Sequence, residues 1–90
     1  MSVIWRAAAR ADLIRIVQYI AEENPVAARQ VARELVLAGD SLTMFPRRGR
    51  RGRALGTREL VTIQPYVIVY ETDGDAVTIL RVWHGAQERP

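Results

Sequence analysis

ELVTIQPYVIVYETDGDAVTILRVWH, residues Glu59 to His84, holds three runs rich in β-branched and aromatic side chains, parted by Gln64-Pro65 and by Asp73-Gly74. Such side chains suit the pleated, half-buried surface of a sheet. Asp-Gly between two such runs signals a tight hairpin, and a type I′ turn needs positive φ at both central residues. With Asp73 and Gly74 in those places, Tyr70 faces Val77, Ile68 faces Ile79 and Tyr66 faces Arg81 on one side of the sheet. Val69 then faces Thr78, and Val67 faces Leu80, on the other. Both faces are apolar at their centres. One must take helices, and the other needs a tail, a long loop or a partner as cover.

Upstream, Val3-Ile4-Trp5 is a short β-type run, expected to join this sheet. Leu13, Ile16, Val17 and Ile20 then repeat at i, i+3, i+4, i+7, the spacing of an amphipathic helix. No Ser, Thr, Asp or Asn stands just before it as an N-cap, although Asp12 is near enough to favour the helix dipole. Asn24-Pro25 reads as the N-cap and first residue of a second helix. Its seam is Ala28, Val31, Leu35, Ala38, Leu42 and Phe45, and Pro46 stops it. So short a connection makes the helices an antiparallel hairpin. Arg47 to Thr57, RRGRRGRALGT, has no periodicity and three glycines, and reads as a loop; Gly85 to Pro90 reads as a tail. The expected architecture is one domain over residues 1–90, α+β, in the order β-α-α-β-β-β, with the helical hairpin on one face of a small antiparallel sheet.

Composition narrows the chemistry. Cysteine is absent, which removes disulfides and thiolate metal sites. With one histidine, no metal is expected. Gly49, Gly52 and Gly56 precede a strand and open no helix, so no phosphate-binding loop or dinucleotide fingerprint applies and no cofactor is expected. Ser2 and Ser41 lack the surroundings of a nucleophile. No apolar run is long enough for a membrane span, and the first residues lack a signal peptide's pattern. The expectation is a cytoplasmic protein without membrane contact.

The charge is more telling. All 13 basic residues are Arg, and Arg47, Arg48, Arg50, Arg51, Arg53 and Arg58 are crowded into one stretch. A block of this kind implies an acidic partner, whether phosphate or a carboxylate-rich polypeptide. Arg58, Glu59, Arg81 and His84 include the residue types needed for strand scission by an RNA's own 2′-hydroxyl. Strand parity opposes them as a set, because Arg81 and His84 are three apart and point to opposite faces of a regular strand. The structural reading pairs Arg81 with a carboxylate or with Tyr66, and lets His84 cap the strand end. Trp83 reads either as an edge aromatic or as an anchor for a partner.

ADLIRIVQYIAEENPVAA, FPRRGRRG and GTRELVTIQPYVIVYETDGDAVTILRVWHGAQ, in this order and spacing, resemble the RelE/ParE superfamily of bacterial type II toxins, nearest to its ParE branch. The resemblance spans nearly the whole chain and implies the same strand, two helices and three strands. It also implies a partner: a cognate ParD-like antitoxin whose acidic segment wraps the toxin in a hetero-oligomer and folds as it binds. RelE-like members cut mRNA on the ribosome; ParE-like members poison DNA gyrase and arrest growth. The place of a working Arg in RelE is taken here by Val67, and the lysines of the RelE loop have no counterpart. Those departures favour gyrase inhibition by binding, without chemistry. On that reading Arg47, Arg48, Arg50, Arg51, Arg53, Arg58, Arg81, Trp83 and His84 form the surface that meets target or antitoxin. The alternative is a ribosome-dependent endoribonuclease working through Arg58, Arg81 and His84. Gln87 stands where many ParE-like chains end in Arg, a departure that bears on potency.

Overall fold

The structure, a computed structural model, describes residues 2–61 and 63–85. Its elements are β1 (Ser2–Trp5), α1 (Ala7–Ala21), α2 (Pro25–Asp40), β2 (Arg50–Arg51), β3 (Thr57–Leu60), β4 (Tyr66–Asp73) and β5 (Ala76–His84). The strands form one sheet in the order β1-β5-β4-β3-β2. All neighbours are antiparallel except β1, which lies parallel to β5 from Ser2↔Ala76 to Trp5↔Ile79. The α+β architecture is as expected, but the sheet is mixed and has five strands. The added strand, β2, lies inside the stretch read as loop.

Asn24 behaves as its side chain dictates: its Oδ1 accepts the Ala27 N–H at 3.1 Å, and Pro25 opens the helix. The far end of α2 departs from expectation. The helix stops at Asp40 and tightens into a 3₁₀ turn over Ser41–Thr43. Gly39, Asp40 and Ser41 are poor helix formers, and the Ser41 hydroxyl donates back to the Ala38 carbonyl at 2.6 Å. Phe45 therefore leaves the seam and is 60% exposed. Gly39 is required where it stands. A Cβ there would clash with the Trp5 ring and lie 2.8 Å from Ile79 Cδ1, so its absence lets β1 and β5 pack against the helix.

The central hairpin turns one residue later than the Asp-Gly reading placed it. Asp73 pairs with Ala76, leaving Gly74 and Asp75 at the tip. Gly74 has φ +58 and no non-glycine residue among those described has positive φ, which rules out type I′. Glycine in the first central place suits type II′. Tyr70 accordingly faces Ile79, a slip of two residues that preserves which face is buried. Beyond Tyr70 a β-bulge makes Leu80 the extra residue, so Val69 meets Arg81, Val67 meets Trp83 and Tyr66 meets His84. The phase of burial shifts with it: Val77 and Ile79 are buried, then Val82.

Leu35, Ala38 and Leu42 pack on Leu60, Ile68, Tyr70, Val77, Ile79 and Val82 to form the core, with Ala9 of α1 beneath. The side chains of alternate parity fare differently. Ile4 is exposed and Val69 and Trp83 are half-buried, so no described element fully covers that face.

Candidate functional site

Two charged regions flank the sheet, and each is built from its local backbone. At one edge β1 ends early. The last bond of its ladder runs from the Arg6 N–H to the Ile79 carbonyl at 3.0 Å, after which the chain turns into α1. β5 continues beyond that point with its edge uncovered by β1. Asp12 of α1 takes over: one carboxylate oxygen accepts the Val82 N–H at 2.9 Å and Arg81 Nε at 2.7 Å. The other accepts Arg81 Nη2 at 2.9 Å, and Arg15 adds a fourth donor. Asp12 is 1% exposed. Burial by itself would raise its pKa, but the Arg81 hydrogen bond, the Val82 N–H and the charges of Arg81 and Arg15 together hold it below the usual carboxylate value. The Asp12 hydrogen bond in turn raises Arg81.

Arg81 is held from its other side too, with Cζ 4.0 Å from the centre of the Trp83 ring, a cation–π contact. It thus pairs with a carboxylate, one of the two structural partners its sequence context allowed, and not with Tyr66. Tyr66 instead meets His84 edge-on, with centroids 5.7 Å apart. Ile16, Tyr19 and Ile20 of α1, with Tyr66, Val82 and His84, line a cleft of ≈ 420 Å³ beside Asp12.

The second region is the arginine stretch. Tyr70, wholly buried, anchors it: the Gly49 N–H donates to the Tyr70 hydroxyl at 2.9 Å, and that hydroxyl donates to the Pro46 carbonyl at 2.8 Å. A Cβ on Gly49 would come within 2.8 Å of this ring and of the Glu59 carbonyl. Arg58 donates to the Gly49 carbonyl at 2.8 Å, Arg50 pairs with the buried Glu59 at 3.2 Å, and Arg48 reaches the Ser41 hydroxyl at 2.9 Å. Arg47, Arg51 and Arg53 are exposed.

The sheet does not gather Arg58, Arg81 and His84. Arg58 pairs with Tyr70 across β3 and β4, whereas His84 pairs with Tyr66, four residues further along β4. At about 3.3 Å per residue that separation is roughly 13 Å. Arg81 lies in the row of Val69 and Glu59, two strand spacings and roughly 10 Å from Glu59. Val67 is buried. Gln87 and the tail after Gly85 lie outside the described residues. Sequence reasoning missed Asp12 as a structural ligand, reading it as a partner of the helix dipole. Its place among Ala9, Leu13 and Ile16 on the apolar face was the available signal.

Residues 3–89 match the family described as the ParE toxin of the type II toxin-antitoxin system parDE. The chain belongs to the ParE toxin family. Toxin RelE2 of Caulobacter vibrioides is 44% identical over 94% of this chain and 96% of its own length. The putative toxin Y4kP of Sinorhizobium fredii is 40% identical over 96% and 90%. Among solved structures, a chain of the chromosomal ParDE system of P. aeruginosa superposes with a TM-score of 0.81 at 26% identity, covering 91% of this toxin and 92% of that chain. As a type II toxin it has a cognate antitoxin as partner. Among its described residues no helix is long and apolar enough to cross a membrane.

Proposed function

We propose that this ParE-family toxin inhibits DNA gyrase by binding, without cutting a substrate, and that a ParD-like antitoxin neutralises it in the cytoplasm. The observation that supports this is the engagement of Arg81. Its guanidinium is fixed bidentately to buried Asp12 and stacked on Trp83, a geometry suited to holding strand, helix and aromatic together. Arg58 is similarly occupied by the Gly49 carbonyl. The target-facing surface is then the Arg47 to Arg58 stretch with the edge around Arg81, Trp83 and His84. An acidic antitoxin segment would cover the open sheet face of Ile4, Val69 and Trp83, gaining its order as it binds.

The names of two relatives, Toxin RelE2 and Toxin RelE1 of C. vibrioides, favour a second reading, a ribosome-dependent mRNA endoribonuclease using Arg58, Arg81 and His84. One experiment separates the two. Purified toxin is added to gyrase with supercoiled plasmid and, in parallel, to translating ribosomes with mRNA. Lost supercoiling or stabilised double-strand breaks support gyrase; codon-phased mRNA cuts overturn it.

A further inference from the structure

The two edges of the sheet are finished differently. At one edge β2 is two residues long, and both are Arg. A short, charged strand keeps an edge from pairing with another chain. At the other edge β1 has no such protection: Ser2–Trp5 carries no charge, no proline and no break in its register with β5. Two hydrogen bonds fix the direction of its backbone. The Ser2 N–H donates to the Asp75 carbonyl and the Arg6 N–H to the Ile79 carbonyl, so Ser2, Ile4 and Arg6 turn toward β5. By alternation Val3 and Trp5 turn their N–H and C=O groups outward, where no described strand lies. Ile4, between them, is 52% exposed on the open face of the sheet.

We infer that β1 is a dimer edge, pairing antiparallel with β1 of a second copy about a two-fold axis at Ile4. In that register Val3 of each copy faces Trp5 of the other, each pair exchanging both N–H···O bonds. The two Ile4 side chains meet on the axis as the closer, non-hydrogen-bonded pair. Such a contact uses one patch twice and closes on itself. Charge argues for a second copy over an acidic polypeptide. β1 presents no cation, and Arg6, which follows it, faces Glu71 of its own chain at 3.9 Å. What the edge offers is apolar alternation, with Val3 and Trp5 toward the core and Ile4 on the other face, and another β1 matches it. The contact runs along the edge and leaves the face of Val69 and Trp83 open. It does not rest on the gyrase reading.

The chain has no cysteine, so a single one placed on the axis reports the pairing without background. Residues opposed in a non-hydrogen-bonded pair have Cα atoms about 4.5 Å apart, within disulfide reach. Ile4→Cys, oxidised with copper phenanthroline, should cross-link to a dimer. Ser2→Cys should not, because its two copies would lie roughly 13 Å apart along the strands. Sedimentation velocity of the purified chain reads the equilibrium itself. An edge of four residues is small, so the dimer should be half-formed at roughly 0.1 mM. Ile4→Lys sets like charges opposite each other and should weaken it about 10-fold. Circular dichroism verifies that each variant is folded. A monomer at every concentration up to about 1 mM overturns the inference. So does cross-linking of Ser2→Cys as fast as that of Ile4→Cys, or a dimer indifferent to Ile4→Lys. Loss of a co-expressed antitoxin in Ile4→Lys, with the dimer kept, gives the edge to the antitoxin and overturns it too.

Discussion

Arg81 on β5 and Arg51 on β2 belong to one sheet, with two strands between them, and their surroundings differ completely. Arg81 is clasped by a carboxylate with almost no contact with water, while Arg51 faces solvent beside Arg47 in a cleft without acidic groups. The first arrangement is stable only as a whole, because a buried charge that loses its partner is costly. The second tolerates change within the protein, because water solvates each cation separately. An arginine's worth to the fold is therefore set by what desolvates its partner, and residue type alone does not reveal it.

The sharpest way to break this contrast is Asp12→Ala. It would leave Arg81 without its carboxylate and the Val82 N–H without an acceptor, and should cost about 3 kcal/mol in urea unfolding. The same contact sets an acid limit. Because the folded pKa of Asp12 is below its ordinary 3.8, its contribution is fully present above that value and is lost as the pH falls through the lowered one. Unfolding curves of the wild type should show this loss in acid, and those of Asp12→Asn should show less of it.

Gly39→Ala comes next. The new methyl would press on the Trp5 ring, and overpacking of about 1–3 kcal/mol should exceed the gain of roughly 1 kcal/mol in helix propensity. Thermal melting reads the net loss. Tyr70→Phe should cost about 1–2 kcal/mol by removing the hydroxyl that fastens the arginine stretch, and faster hydrogen exchange at the Gly49 amide would report it. Arg51→Ala should change stability by less than about 0.5 kcal/mol. A large loss there would erase the difference between the two regions.

What was legible in the sequence was what neighbours along the chain decide. Asn24-Pro25 caps α2 through a contact three residues long, and the period of Leu13, Ile16, Val17 and Ile20 placed α1 correctly. Asp73-Gly74-Asp75 announced a turn but offered two dipeptides for its centre, and the one with glycine first was chosen. The bulge at Leu80 could not be read, because it arises where β5 has to satisfy both β4 and the α1 carboxylate. β2 was hidden for a related reason. Two arginines have no strand propensity to display, and their pairing depends on β3 and on a tyrosine hydroxyl twenty-odd residues away. The candidate surface was visible as charge; which guanidinia are occupied was not, since their partners come from Ser41, Glu59 and a backbone carbonyl.

The parallel pairing of β1 with β5 joins the first described residues to nearly the last. During synthesis α1 and α2 emerge long before Val77 and Ile79 exist to cover Leu35 and Leu42. Contacts so distant along the chain must close a long loop before they contribute. A nascent polypeptide of this kind stays uncompleted until β5 is released, so a translation product cut short before β5 would leave Leu35 and Leu42 without Val77 and Ile79, and β1 without a strand to pair with.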